Sequence, residues 1–363
     1  MASTTPAPTP VRIGLIGAGG IYDSRHLPNL RKLGPEVDLV AIANRSHESS
    51  AKVAKKWGIP HVEHDWKTLV RRDDLDAVMI GTWPYMHAEM SIAALAAGKH
   101  VFCQARMAAT LDEARAMLDA ARAHPHLVNM LCPPPTRMPM EPIIRRLLAD
   151  GTLGDLAAVS LTAIGDSNLK SDELHWRENI AYSGRQILAV GIYAETLNAI
   201  LGPFESLSAR FGQVITTKKD HLGHPTPVHI PQSVAITGCL PGGAVVSELH
   251  TGAAAGPASD RLAILGTRAS LYYPIMSGSV FLAHHDGRQE EIKPAPGEPA
   301  TVADAWQVER QFITAVQAAR EGVPAAERPL SPDFAEGLAY MVKMEAIHRS
   351  ATSGRSVTLA EVG

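Results

Sequence analysis

The stretch Val11-Arg12-Ile13-Gly14-Leu15-Ile16-Gly17-Ala18-Gly19-Gly20 decides the fold. A short apolar run stopped by glycines reads as a buried parallel strand entering a tight turn. Gly17 and Gly19 fall on the first two places of a dinucleotide-binding turn. The first permits the turn and the second lets backbone approach a pyrophosphate. Gly20 and Ile21 continue the same loop, and the next helix would aim its N-terminal amides at the anion. Tyr22 stands at the third place, where Gly or Ala is usual.

The rest of the chain agrees with a globular protein built around that strand. Its 363 residues suggest two domains, and 45% hydrophobic with 20% charged residues is ordinary for a sizeable core. A net charge of −3 without a basic run gives no reason to expect nucleic acid. No segment reads as a membrane span. Residues 1–10 lack a charged and apolar signal pattern and read as a disordered leader. Cys103, Cys132 and Cys239 show no metal or redox spacing, as expected of reduced thiols in a cytoplasmic protein. His221, His224 and His229 near Asp220 lie in a Pro- and Gly-rich loop, so no metal site is expected there.

Outward from Gly20, a helix is expected over His26 to Leu33, then a second apolar strand from Val37 to Ala43. That strand ends at Asn44-Arg45-Ser46, where a carboxylate would hold the ribose of NAD. Asn44 is neutral and would not repel a 2′-phosphate, Arg45 is suited to pair with it, and Ser46 adds a hydroxyl. NADP is therefore favoured, with NAD as the alternative. Strands at Ala77–Gly81 and His100–Cys103 lead into loops at Thr82 and Gln104. Together with the loops at Gly17 and Asn44, these lie on the carboxyl edge of a doubly wound parallel sheet, where such sheets bind cofactors. Cys132-Pro133-Pro134-Pro135 marks the domain boundary. This gives a Rossmann domain over 11–132 and an α+β substrate and oligomerisation domain over 133–363. The second domain shows period-two strands at Asp155–Ile164, Ser233–Cys239, Ala244–His250, Arg261–Leu265 and Ser270–Tyr273. They predict an open, mostly antiparallel sheet, with a helix at Ile187–Leu201. Of two closing helices, the second is expected to take Ser331 as its N-cap and Pro332 as its first residue.

From Val11 to Leu359 the chain resembles the Gfo/Idh/MocA family. The matching stretches are Ile16-Gly-Ala-Gly-Gly-Ile21, His26-Leu-Pro28, Thr82-Trp-Pro-Tyr-Met-His87, Ala97-Gly-Lys-His-Val101, Gly151-Thr-Leu-Gly154, Trp176-Arg177, Gly191-Ile-Tyr193, Leu265-Gly-Thr267 and Ser353-Gly-Arg-Ser-Val357. The resemblance implies a nicotinamide cofactor on the first domain, near Trp83, His87, Trp176 and Arg177 besides the loops above. It implies a sugar, inositol or related polyol as substrate, and homodimers or homotetramers built through the second-domain sheet. The family's usual chemistry is hydride transfer at a carbinol carbon, with a Lys–Asp–His or Lys–Asp–Tyr set handling the proton.

Two of those positions differ here. Gln104-Ala105-Arg106 stands where the family usually carries Glu-Lys-Pro. Ala189-Val-Gly-Ile-Tyr193 stands where it carries Asp-x-Gly-x-His, with Tyr as a family variant. Ala cannot relay a proton, and Arg106 stays protonated at working pH. Tyr193 is the first candidate to replace the missing groups and His175, just before Trp176, the second; Glu178 and Glu195 are weaker ones. Arg106, Arg137 and Arg185 would form a cationic pocket suited to an acidic substrate, with Tyr182 beside them and His250 on the substrate face of the sheet. Three readings stay open. One is an NAD(P)-dependent oxidoreductase with a non-standard proton relay. Another is a redox-neutral lyase or glycosidase that oxidises its substrate transiently. The third is a cofactor-binding paralogue without catalysis.

Overall fold

A computed structural model describes residues 9–137, 140–187, 189–275 and 277–363. All but the last two residues of the expected leader lie outside them. By contacts the chain divides into two compact units. The first comprises residues up to Ala108, Asp112–Pro133 and Gln307–Leu338; the second comprises Ala109–Leu111, Pro134–Trp306 and Ala339–Gly363. Gln307–Leu338, which the sequence reading assigns to the second domain, thus counts with the first.

In the first unit the strands are β1 (Val11–Ile16), β2 (Val37–Ala43), β3 (His61–Val62), β4 (Ala77–Ile80), β5 (His100–Cys103) and β6 (Asn129–Leu131). Among the described residues they form one parallel sheet in the order β3-β2-β1-β4-β5-β6. The order reverses at β1, and the crevice beside that switch is where open α/β sheets take ligands. β4 and β5 are buried along their whole length, which is why they read as unbroken apolar runs. Helices α1 (Leu27–Lys32), α2 (His47–Trp57), α3 (Trp66–Val70), α4 (Pro84–Ala96) and α5 (Leu111–Ala123) connect them.

Two helix starts differ from expectation. The chain after Ile21 coils first as a π turn over Tyr22–His26, and α1 begins only at Leu27. Tyr22 is fully buried, and its ring fills the space left by the missing side chain of Gly81. A bulky residue at the third fingerprint place is thereby accommodated. The last helix begins at Phe334, and it is Asp333, not Ser331, that caps it. The Asp333 carboxylate accepts from the amides of Ala335 and Glu336 at 2.8 and 2.9 Å, while the Ser331 hydroxyl donates to Glu336. A carboxylate that accepts two amides is the stronger cap.

His100 on β5 carries a stability consequence. Its Nδ1 accepts from the Val128 amide at 2.9 Å. Burial, reinforced by the guanidiniums of Arg328 and Arg320, lowers its pKa from 6.5 to about 4. The unfolded chain therefore binds a proton between those values that the folded chain refuses. The contribution of His100 is complete above pH ~6.5 and is lost as the pH falls to ~4, by about 3 kcal/mol. Urea midpoints of the wild type and His100→Gln, followed from pH 7 to 4, should converge by roughly that amount. Parallel curves would remove His100 as a source of acid sensitivity.

The second unit holds a nine-stranded sheet among the described residues. Its strands are β7 (Leu156–Ile164), β8 (Ser206–Gly212), β11 (Ser233–Cys239), β12 (Val245–Thr251), β13 (Ser259–Gly266), β14 (Ala269–Pro274), β15 (Val280–His284), β16 (Gln289–Ile292) and β17 (Val357–Thr358), with a separate ribbon of β9 (Thr217–Lys219) and β10 (Pro225–Pro227). The order is β16-β15-β14-β13-β7-β12-β11-β8-β17, antiparallel throughout except for the β7–β12 pair. Turns at Pro241-Gly242-Gly243 and His285-Asp286-Gly287 join β11 to β12 and β15 to β16. Helices α6 (Met140–Ala149), α7 (Ile180–Ser183), α8 (Val190–Leu201) and α9 (Val302–Ala305) precede α10 (Val308–Arg320) of the first unit and α11 (Phe334–Ser353). Strand β12 alternates cleanly: Val245, Ser247 and Leu249 are exposed, while Val246, Glu248 and His250 are buried.

Candidate functional site

At the carboxyl edge of the parallel sheet, Gly17 leaves β1 at φ +70°. Its amide donates to Ala43 O at 3.0 Å, and the Gly19 amide returns to Gly17 O at 2.9 Å. A Cβ at Gly17 would lie 2.7 Å from Thr82 Cγ2 and 2.8 Å from Thr82 N, so only glycine closes this turn. At Gly19 and Gly20 the reverse holds, since an added Cβ would meet nothing within 4 Å. The loop thus presents bare backbone to open space where a pyrophosphate would lie, with Ile21 partly exposed beside it. These residues fit a dinucleotide.

After β2, Asn44 is held by its own neighbours. Its amide N–H donates to Ser50 Oγ at 2.8 Å and its Nδ2 to Ser49 Oγ at 3.1 Å. Asn44 Oδ1 is buried and has no partner among the described residues, so it is available to a sugar hydroxyl. Ser46 caps α2 through a bond from the Ser49 amide, and Arg45 is exposed. Thr82 and Trp83 follow β4, with Trp83 at the N-terminus of α4. His87 is fully buried. Its Nδ1 lies 2.7 Å from Arg106 O and its Nε2 3.0 Å from Thr82 O, so the ring ties two edge loops together. Burial lowers its pKa, despite hydrogen bonding to those carbonyls. Gln104 Oε1 is 3.3 Å from His26 Nε2, and His26 is in turn 2.6 Å from Glu309. Arg106 is buried at the end of the same loop.

In the second unit, His175 caps the short turn over Trp176–Glu178. Its Nδ1 accepts from the Arg177 amide, and its own amide donates to Glu178. Burial lowers the His175 pKa, and Arg177 adds to the effect. The Arg177 guanidinium stacks 4.3 Å above the Trp176 ring, with its pKa lowered by burial. Arg137 bonds to Glu141 and lies 3.8 Å from Glu195, whereas Arg185 pairs with Glu345 at 2.8 Å. These two cations answer to different carboxylates. Tyr182 is partly exposed. Among the described residues no group of three or more His, Cys, Asp or Glu is placed to hold a metal.

Tyr193 and His250 do come together. Their rings are 5.6 Å apart, and the Tyr193 hydroxyl donates to Asp260. Burial, and after it the Asp260 carboxylate, pushes the Tyr193 phenol well up. Behind His250 stand two residues that sequence reasoning missed, Glu248 and Lys343. The signal for Glu248 was present in β12, because period-two alternation puts it on the same covered face as Val246 and His250. Lys343 sits among Met341, Met344 and Ile347, a run that reads as plain core.

The family model described as "Oxidoreductase family, NAD-binding Rossmann fold" matches residues 11–131, and the "GFO/IDH/MocA C-terminal domain" matches residues 143–272. The chain belongs to the Gfo/Idh/MocA family. Residues 11–131 are that family's NAD-binding Rossmann domain. Two similar relatives illustrate the family's reach. Levoglucosan dehydrogenase of Pseudarthrobacter phenanthrenivorans is 30% identical over 48% of this chain and 47% of its own length, so the chain spans about half of that relative. Trans-1,2-dihydrobenzene-1,2-diol dehydrogenase of Bos taurus is 28% identical over 79% of this chain and 82% of its own. Among solved structures, an oxidoreductase domain protein from Kribbella flavida superposes with a TM-score of 0.83 at 25% identity, covering 97% of this chain and 99% of that one. Among the described residues no helix is long and apolar enough to cross a membrane.

Proposed function

We propose that this Gfo/Idh/MocA protein is an NAD(P)-dependent oxidoreductase acting at a ring carbinol of a sugar-like, inositol-like or other cyclic hydroxylated substrate. The observation that carries this reading is the bare backbone at Gly19 and Gly20 on the carboxyl edge of β1. Relatives named for a sugar derivative and a cyclic diol support the substrate class. When bound, the cofactor accepts the carbinol hydrogen with its electron pair. Gly17, Gly19, Gly20 and Ile21 hold the pyrophosphate, Asn44, Arg45 and Ser46 the adenosine ribose, and Thr82, Trp83 and Gln104 flank the remainder. Ala105 and Ala189 occupy the family's Lys and Asp positions in our reading, so the substrate proton passes to other groups of this chain. Arg106, Arg137, Arg185 and Tyr182 remain the residues proposed to favour an acidic substrate.

No carboxylate ends β2, and Arg45 is exposed there, which supports NADP as the preferred form. Arg45→Ala should weaken NADP binding about tenfold, the scale of one charge-assisted contact, and leave NAD unchanged. Equal losses for both would remove the preference. We place the oligomer contact on the open sheet face bearing Val245, Leu249 and Tyr272, and the protein in the cytoplasm.

The deciding experiment follows absorbance of the reduced nicotinamide with NAD or NADP and a panel of sugars, inositols and uronic acids. Continuous growth of the band establishes the dehydrogenase and its cofactor. A burst equal to the protein concentration, with product still accumulating, replaces it by redox-neutral chemistry. Cofactor binding with no absorbance change on any substrate overturns the proposal.

A further inference from the structure

A chain of three polar residues runs through the covered side of the second unit's sheet. Lys343 Nζ lies 2.6 Å from Glu248 Oε1, and Glu248 Oε2 lies 2.9 Å from His250 Nε2. None of the three is more than 1% exposed. The Lys343 ammonium also sits 3.7 Å from the centre of the Phe204 ring. Well-packed apolar residues would do as well for stability in such a place. The arrangement therefore calls for another explanation.

Protonation states follow from the geometry. Burial works against the Glu248 charge, yet the Lys343 ammonium and the His250 hydrogen bond together bring its pKa down to about 2. An ionised carboxylate only accepts, so His250 Nε2 carries the hydrogen. In the neutral ring the lone pair is then on Nδ1. That atom is buried and has no hydrogen-bond partner among the described residues. The adjacent Tyr193 hydroxyl is already committed to Asp260. A buried acceptor left unpaired is destabilising, and a hydroxyl donor from a ligand would remove that cost.

We propose that His250 Nδ1 accepts the hydroxyl proton of the bound substrate, with Glu248 and Lys343 as positioning residues that fix the ring's tautomer. This rests on the oxidoreductase reading above. Oxidation of a carbinol to a ketone releases a hydride from carbon and a proton from oxygen. The hydride goes to the cofactor, and the O–H electron pair becomes the second C–O bond. His250 takes the proton, and Glu248 stays hydrogen-bonded to the imidazolium so formed.

The test combines ¹⁵N-histidine NMR of the whole protein, with levoglucosan and myo-inositol as probes, and turnover of two variants. The free protein should show His250 protonated at Nε2 alone, and a saturating probe should move the Nδ1 resonance. His250→Gln keeps a donor for Glu248 and loses the Nδ1 acceptor. It should lower kcat about 10²–10⁴-fold with cofactor affinity unchanged. Glu248→Gln should lower kcat at constant KM and shift the ring towards the Nδ1-protonated form, which a purely structural residue would not do. An Nδ1 signal that neither probe moves overturns the proposal even if a variant misfolds, and so does wild-type turnover in His250→Gln. If the wild type reduces no cofactor with any alcohol while Nδ1 still responds, the oxidoreductase reading fails and the hydroxyl site stands.

Discussion

Gly19→Val leaves the protein folded and weakens cofactor binding at least ~100-fold, about 2.7 kcal/mol. The reasoning starts from what the glycine lacks. Its φ lies outside the left-handed region, and a Cβ there meets no protein atom within 4 Å. Valine therefore causes no internal strain. Its methyl groups occupy only the open space above the β1 turn, which is the space a pyrophosphate needs. Gly17→Val makes the control. That position combines φ +70° with a Cβ 2.8 Å from Thr82 N, so the fold and the binding suffer together. Fluorescence titration with reduced cofactor, beside a thermal melt, separates the two. Wild-type affinity in Gly19→Val would move the pyrophosphate away from this loop.

Lys343→Met should cost about 3–5 kcal/mol of folding stability, since it strands the Glu248 carboxylate without its counter-charge where both side chains are fully buried. Methionine nearly preserves the volume of the stem, so little of that loss is packing. The double variant Lys343→Met with Glu248→Gln removes both charges and still offers His250 an acceptor. It should recover most of the stability. Urea unfolding of the single and double variants forms a cycle in which the coupling is read directly. A single variant within ~1 kcal/mol of the wild type would show that water reaches this pair.

How much of this was legible depended on the reach of each signal. The parallel sheet was readable because β4 and β5 are buried on both faces, and hydropathy alone records that. β11 and β12 were readable because one face is wet, and alternation records that. The π turn ahead of α1 was not readable, because its constraint is the room that Gly81 leaves for Tyr22, about sixty residues away in sequence. The edge loops at Gly17, Asn44, Thr82 and Gln104 could be placed from strand ends. The Lys343–Glu248–His250 chain could not, because it joins residues nearly a hundred positions apart and no local pattern links them. Ser331 reads as the cap because Ser-Pro is a familiar helix opening, and sequence gives no measure of which oxygen reaches the amides.

The position of β7 has a consequence for how the protein is made. It lies inside the nine-stranded sheet between β12 and β13, yet about eighty residues separate its end from β12. At roughly 5–20 residues per second, a ribosome needs on the order of 4–16 s to make the first of its neighbours. For that interval a nine-residue strand has both edges unpaired. An unpaired edge invites pairing with another chain. The yield of active protein should therefore respond to translation speed and to chaperones that shield the nascent chain, more than to the stability of the finished molecule.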